Sequence, residues 1–136
     1  MSYAIASALQ AAVFTAISGD TVVQGLVGAD VYDALPGGTL PMTYVVIGEE
    51  DVRTKSDVSA EGAEHQLIVS IYSDAAGFAA AKAVAVAVSD VLNDAALSLS
   101  RGHLVSLDFV SARARRATSP GARRIDMRFR ARVEDI

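Results

Sequence analysis

Three adjacent acidic residues are the first candidates for chemistry in this sequence. Glu49, Glu50 and Asp51 directly follow an apolar segment. Clustered carboxylates can bind a divalent cation or supply a general acid and base. Acidic residues in a highly charged segment are more often simply solvated. The sequence therefore favours a solvated, contact-making segment over a catalytic pair.

The histidines give no pattern of metal ligands. The chain has two, His65 and His103, and it has no cysteine. Zinc and iron sites use clustered histidine, cysteine and carboxylate ligands, and neither histidine has a second histidine or a cysteine near it in sequence. We expect both to be strand residues at a sheet edge or on the surface, and we expect no metal or other cofactor.

Motifs for nucleotide binding and nucleophilic catalysis are also missing from the sequence. The pair Gly37-Gly38 lies between two extended pieces, and no Gly-Lys-Ser/Thr or Gly-x-Gly-x-x-Gly motif occurs. No Gly-x-Ser-x-Gly motif presents a serine nucleophile. These observations predict a protein that is not an enzyme.

Charge is distributed unevenly along the chain. Residues 1–112 carry 13 acids and 4 bases (−9), and residues 113–136 carry 8 arginines and 3 acids (+5), which gives the net charge of −4. Arginine suits bidentate pairing with carboxylate or phosphate. An acidic and a basic surface on one small subunit would suit contact between copies of that subunit.

The C-terminal arginines admit three interpretations. They are Arg113, Arg115, Arg116, Arg123, Arg124, Arg128, Arg130 and Arg132. They could form a solvated or internally paired face, a subunit interface, or a surface for phosphate contact. No aromatic residues alternate with them as a stacking platform for single strands, and no basic recognition helix is visible.

The elements that must position these residues follow from periodicity. Apolar residues spaced four apart predict a helix from the cap Ser2 to about Ser18, and Asp20 is expected to cap a short turn over Thr21–Leu26. A second long helix is expected over about 75–93, with Asp74 as its cap. Strands are predicted at Val31-Tyr32 and at 42–48, 64–73, 103–117 and 123–135, the segment 42–48 as a central strand buried on both faces.

Strict alternation makes the last strand the clearest of these. Ile125, Met127, Phe129, Ala131 and Val133 are expected on one face, and the arginines on the other. In the preceding strand, Val105, Leu107 and Phe109 are expected to share a face. The predicted fold class is α/β (α+β), with a mixed, largely antiparallel sheet of about four to five strands packed against two main helices on one side.

Length and composition fit one domain over residues 1–136. Residues 49–62 are polar and lack periodicity, so a mobile loop is expected there. The N-terminus lacks the basic and apolar regions of a signal peptide, and the Ala75–Val88 run is too short to cross a bilayer. We expect a soluble protein made in the bacterial cytoplasm, without membrane contact.

Taken in order, several motifs resemble a family of small phage tail-completion proteins found in siphophages, prophages and gene transfer agents. The matching segments are Leu9–Phe14, Leu26–Asp33, Leu35-Pro36 through Pro41 to Tyr44–Glu49, His65–Ser73, Ala79–Val84, Leu97–Leu99 with the strand from His103, and Phe129–Glu134. They cover nearly the whole chain. One departure is Met42-Thr43, where such sequences often have proline directly before the tyrosine.

This resemblance implies a fold and a structural function like those of lambda-type tail terminators. Such proteins form a hexameric ring on the finished tail tube, end its polymerisation and join the tail to the head connector. The implied partners are further copies of the chain, the tail tube protein and a connector or stopper protein, with DNA only as cargo passing through the lumen. The implied location is the neck end of a virion or phage-like particle, and the free protein could be monomeric.

Two sets of residues are the candidate contact surfaces under this hypothesis. The partner-contact set is Glu49, Glu50, Asp51, Arg53, Lys55, Asp57 and Glu61. The interface or lumen set is Arg113, Arg115, Arg116, Arg124, Arg128, Arg130 and Arg132. The alternatives are another neck component, such as a stopper or adaptor, and a nucleic-acid-binding module that uses the C-terminal arginines.

Overall fold

The computed structural model describes residues 3–35, 37–54, 62–117 and 122–135. Within these ranges the chain forms three helices and five strands. In chain order they are α1 (Ala6–Ser18), α2 (Thr21–Val27), β1 (Val31–Tyr32), β2 (Thr43–Thr54), β3 (Gly62–Ser73), α3 (Ala79–Leu92), β4 (His103–Arg116) and β5 (Arg123–Glu134).

The strands form one mixed sheet in the order β1-β2-β3-β5-β4. The two-residue strand β1 runs parallel to β2, and all other neighbours are antiparallel. The two long helices α1 and α3, with the short α2, pack on one face of the sheet because the alternating apolar residues of β3 and β5 all point to that side. The predicted fold class is confirmed.

Buried apolar residues form a single cluster between the helices and this face. Leu9, Val13 and Ile17 from α1 and Val84, Val88 and Leu92 from α3 contribute to it. The alternation predicted for β5 is confirmed, because every second residue from Ile125 to Val133 is buried. The face beneath the helices is called the helix face below, and the opposite one the open face.

The second strand is longer than the sequence predicted. It does not end at Gly48 but continues to Thr54, and β3 begins at Gly62, so residues 49–54 are strand and not part of a mobile loop. Pairing with β3 stabilises this polar segment, since Glu49 lies opposite Ile68 and Arg53 opposite Glu64. Residues 55–61, the rest of the predicted loop, lie outside the described residues.

The first half of β2 was predicted to be buried on both faces, and this prediction was wrong. Val45 and Ile47 are buried on the helix face, whereas Tyr44 and Val46 are half-buried on the open face. The helices cover only one side of the sheet, so a continuous apolar run here indicates a strand that packs on one face only.

Both long helices begin later than predicted. The first starts at Ala6, after Ile5, and Ser2 lies outside the described residues. The last starts at Ala79 with Phe78 at the cap position and no side-chain cap bond, so the predicted cap at Asp74 was wrong. The backbone N–H of Asp74 instead donates to the Met42 carbonyl and extends the β2–β3 pairing. The predicted cap at Asp20 is confirmed, since its side chain accepts hydrogen bonds from the N–H groups of Val22 and Val23.

Two irregularities shift the alternation of β4. The register with β5 shifts between Leu104 and Ser106 and again between Phe109 and Ser111. A bulge inserts one extra residue and moves the following side chains to the other face. Leu107 and Phe109 do share the helix face, but the prediction for Val105 was wrong: it is 51% exposed, and Leu104 is buried in its place.

Candidate interaction surfaces

Most charged side chains of the sheet lie on the open face, in rows that cross the strands β2, β3, β5 and β4. Strand register gives five such rows: Tyr44–Tyr72–Arg124–Arg115, Val46–Ser70–Asp126–Arg113, Glu49–Ile68–Arg128–Ser111, Asp51–Gln66–Arg130–Asp108 and Arg53–Glu64–Arg132–Ser106. Glu49 and Asp51 therefore lie on β2 together with Arg53. Most arginines lie on β5 and at the end of β4, where Asp126 and Asp108 are the acidic residues of this face.

Asp126 organises the second of these rows. Its carboxylate accepts hydrogen bonds from Ser70 Oγ at 2.6 Å, Arg124 Nε at 2.8 Å and Arg115 Nη2 at 3.2 Å. Burial alone would raise the pKa of Asp126, but these three donors outweigh it and hold the pKa below its ordinary value. The arrangement fixes two arginine side chains on the open face.

Aromatic rings continue this fixed arrangement toward the other edge of the sheet. The ring centroids of Tyr44 and Tyr72 are 5.1 Å apart with nearly parallel planes, and Tyr32 lies 6.3 Å from Tyr44. The Arg124 guanidinium lies 5.0 Å from the centre of the Tyr72 ring. A cation over an aromatic face is attracted to it. One end of the open face is thus a row of mutually packed side chains.

Three other C-terminal arginines on this face differ from Arg115 and Arg124. Arg113, Arg128 and Arg130 are exposed. Within the part of the chain that the structure describes, none of the three makes a hydrogen bond or an ion pair. Arg116 differs in position, because it lies opposite Arg123 on the helix-face side of the hairpin.

Of the three interpretations of the arginines, internal pairing therefore applies to Arg115 and Arg124, both bound to Asp126. Arg132 is half-buried and lies opposite Glu64 on β3. Interface or phosphate contact stays a prediction for Arg113, Arg128 and Arg130, whose cationic groups are available to a partner.

Among the predicted acidic contact residues, Glu50 points away from the open face. Its Oε2 lies 2.9 Å from Nδ1 of His65. The predicted edge or surface position was wrong for His65, which is 0% exposed on the interior strand β3. An ionised carboxylate only accepts hydrogen bonds, so the ring N–H is the donor. The Tyr3 hydroxyl also donates to Glu50, and this bond, together with the negative charge, raises the pKa of Tyr3. Glu50 is thus the hydrogen-bond acceptor for a buried histidine.

We expect Glu50→Ala to lower the free energy of unfolding by about 1–3 kcal/mol, since it leaves a buried donor without an acceptor. The other ring nitrogen, Nε2, has no hydrogen-bond partner among the described residues, so His65 would lose its remaining one. The measurement is urea unfolding followed by circular dichroism. Glu49→Ala, at an exposed position next to it, is the control and should change stability by less than about 0.5 kcal/mol. Equal effects of the two substitutions would contradict this role of Glu50.

The other members of the partner-contact set fall into two groups. Glu49, Asp51 and Arg53 are exposed on the open face near the free side of β2. Lys55, Asp57 and Glu61 lie outside the described residues. Over the described ranges, no three histidine or carboxylate side chains converge as a metal site.

No single helix in the described part of the chain is long and apolar enough to cross a membrane. The pair α1 and α2 reaches that length and apolarity only when the two are taken together across a 74° bend.

Sequence reasoning missed the tyrosine row and the bonds around Asp126. The outward direction of Tyr72 and Arg124 followed from alternation, but their adjacency depends on the register between strands far apart in sequence. The only local signal was the Arg124-x-Asp126 spacing, which places both side chains on the same face of a strand.

Helices packed on one face of a mixed five-stranded sheet, with charged side chains on the other face, define a small α+β protein. The family model of the tail completion protein gp17 matches residues 11–134. The chain therefore belongs to this family, and it is a structural protein of the phage-tail type.

A solved structure extends the comparison to nearly the whole chain. A chain in a structure titled "Virion of native gene transfer agent (GTA) particle" is 55% identical to this sequence, with a TM-score of 0.93. The match covers 97% of this chain and 98% of the other. No match was found among curated proteins.

Proposed function

We propose that this chain is a tail terminator. In this function, copies of the chain form a hexameric ring on the end of the tail tube, end tube polymerisation and join the tail to the head connector. The observation that carries the proposal is the match over nearly the whole chain to a subunit of a native gene transfer agent particle, within a family of tail completion proteins. The site of action is then the neck of a phage-like particle.

The charge distribution of the open face supports a ring. In a ring, one patch of each subunit binds a different patch of the next. Exposed Glu49 and Asp51 lie on β2, and exposed Arg113 lies on β4, at the opposite side of the sheet. Two separated patches of opposite sign on one subunit satisfy the requirement for contact between unlike surfaces.

Deletion of the gene tests the proposal directly. Without a terminator, tube polymerisation has no stop, so we expect overlong tails or tails without heads in electron micrographs of the particles. Supplying the unaltered gene from a plasmid should restore tail length. Tails of normal length beside unfilled heads would reject a terminator and indicate a stopper or adaptor between head and tail.

Contact with nucleic acid is the second candidate, and the exposed Arg113, Arg128 and Arg130 favour it. In the ring, this contact would be limited to DNA that passes through the lumen. A DNA-binding module would instead bind free DNA on its own, and its affinity would fall steeply with salt because phosphate contacts release counterions. The absence of such binding by the isolated subunit would reject this alternative.

A further inference from the structure

The outer edge of β4 is covered over its first half. The N–H of Asp94, just after α3, donates to the Leu107 carbonyl at 2.7 Å. The side-chain oxygen of Asn93 accepts a hydrogen bond from the Phe109 N–H at 3.0 Å. These bonds occupy backbone groups that would otherwise be free to pair with another strand.

The second half of the same edge has no such cover. No described residue bonds to the outer side of residues 110–116, and all of these side chains are exposed, whichever face they lie on. This open β4 edge carries Arg113, Arg115 and Arg116, with the small residues Ala112 and Ala114 between them. Folded proteins normally cover or shorten long edge strands, since free backbone groups there pair with other chains.

A complementary edge lies at the other side of the sheet. The short β1 pairs with β2 only at Val45 and Val46. Residues 49–54 of β2 are bonded to β3 on one side, and among the described residues nothing bonds to their backbone on the other side. This open β2 edge presents Glu49 and Asp51 on the open face. It is similar in length to the open β4 edge and opposite to it in charge at Glu49 and Asp51, and it also carries Arg53 nearer its end.

We propose that the open β4 edge of one copy pairs, strand to strand, with the open β2 edge of the next copy. The sheets of neighbouring subunits then form one continuous sheet, in which Arg113 and Arg115 lie across from Glu49 and Asp51. Opposite charges in directly facing positions stabilise paired strands. The contact joins unlike surfaces, as a closed ring requires. This inference rests on the proposed ring and names the surfaces that build it.

Engineered cysteines test the pairing, because the natural chain contains none. Each double variant has one cysteine on each edge. It replaces Ala112 or Ala114 on β4 and Val52 or Thr54 on β2, which gives four combinations. All four positions lie on the helix face. Assembled particles are oxidised and analysed by denaturing electrophoresis. We expect a ladder of covalent multimers from at least one double variant and none from the single variants. Val86→Cys with Thr54→Cys, which uses an exposed position on α3, is the matched control and should give no ladder.

Charge exchange provides a second measurement that does not depend on disulfide geometry. Arg113→Glu should reduce the yield of particles with heads attached, and a second substitution, Glu49→Arg or Asp51→Arg, should restore it. Lys82→Glu reverses the charge of an exposed base on α3, away from both strand edges, and should leave the yield unchanged.

The outcomes separate this inference from the proposed function. Particles with normal tails but no ladder from any double variant, and no recovery in the exchange variants, would reject the edge pairing and leave the terminator role intact. Tails of normal length after gene deletion would reject the terminator role, whatever the cross-linking shows.

Discussion

Replacing Phe129 by alanine is expected to lower the free energy of unfolding by about 3–5 kcal/mol. Phe129 is 0% exposed at the middle of β5, opposite Leu67 of β3 and Phe109 of β4. Removing its ring takes away buried apolar area and leaves a cavity that a sheet bonded on both sides cannot close. The total stability of a domain is about 5–15 kcal/mol, so the loss is a large fraction of it.

Phe109→Ala is the matched control for this substitution. The two rings contact each other edge to face at 5.8 Å, but Phe109 is 42% exposed at the side of the sheet. We expect its removal to cost about 1–2 kcal/mol, since only part of its area is buried. Chemical denaturation of both variants gives the two values. A loss from Phe109→Ala as large as that from Phe129→Ala would contradict a core centred on β5.

The position of Phe129 could be predicted from sequence because its cause is local. Alternation along β5 places Phe129 between Met127 and Ala131, and all three are buried. Period-two alternation is a property of the strand itself and needs no knowledge of its neighbours. The order of the strands and the two long helices and the cap at Asp20 were predictable for the same reason. The segment that Asp20 caps was predicted as a turn and is the helix α2.

The extension of β2 to Thr54 was not predictable in this way. Its residues are mostly charged, and such a composition is typical of a loop. They form a strand because β3, a separate segment, supplies the hydrogen bonds. That cause is non-local. The consequence for function is that Glu49 and Asp51 lie on an ordered strand edge, so contact there does not require a loop to fold on binding.

The direction of Glu50 shows how a bulge changes a candidate site. Val45 and Ile47 face the helices, and unbroken alternation would also turn Glu49 and Asp51 inward. The register with β3 shifts between Ile47 and Glu49, where Gly48 has a φ of 127°. The shift sends Glu50 to the buried His65 instead, and places Glu49 and Asp51 on the open face. One glycine thus decides which carboxylates can meet a partner.

A second glycine, Gly102, carries the other large expected effect. It precedes β4 with a φ of 75°, and a Cβ added there would lie 2.3 Å from Ile5 Cδ1 and 2.7 Å from the Glu134 carbonyl oxygen. The backbone conformation disfavours a side chain, and the oxygen belongs to a paired strand that cannot shift freely. We expect Gly102→Ala to lower the free energy of unfolding by about 2–5 kcal/mol, the sum of backbone strain and overpacking.

Gly77→Ala separates the two contributions. Gly77 has nearly the same φ, 72°, but an added Cβ there would meet nothing within 4 Å. Its substitution should therefore cost only the backbone strain, about 1–2 kcal/mol. Thermal or urea unfolding of the two variants measures the difference in their loss of stability. This difference is the cost of the steric overlap with Ile5 and Glu134. If Gly102→Ala proved no more destabilising than Gly77→Ala, the start of β4 would not be packed tightly between the beginning of α1 and the end of β5.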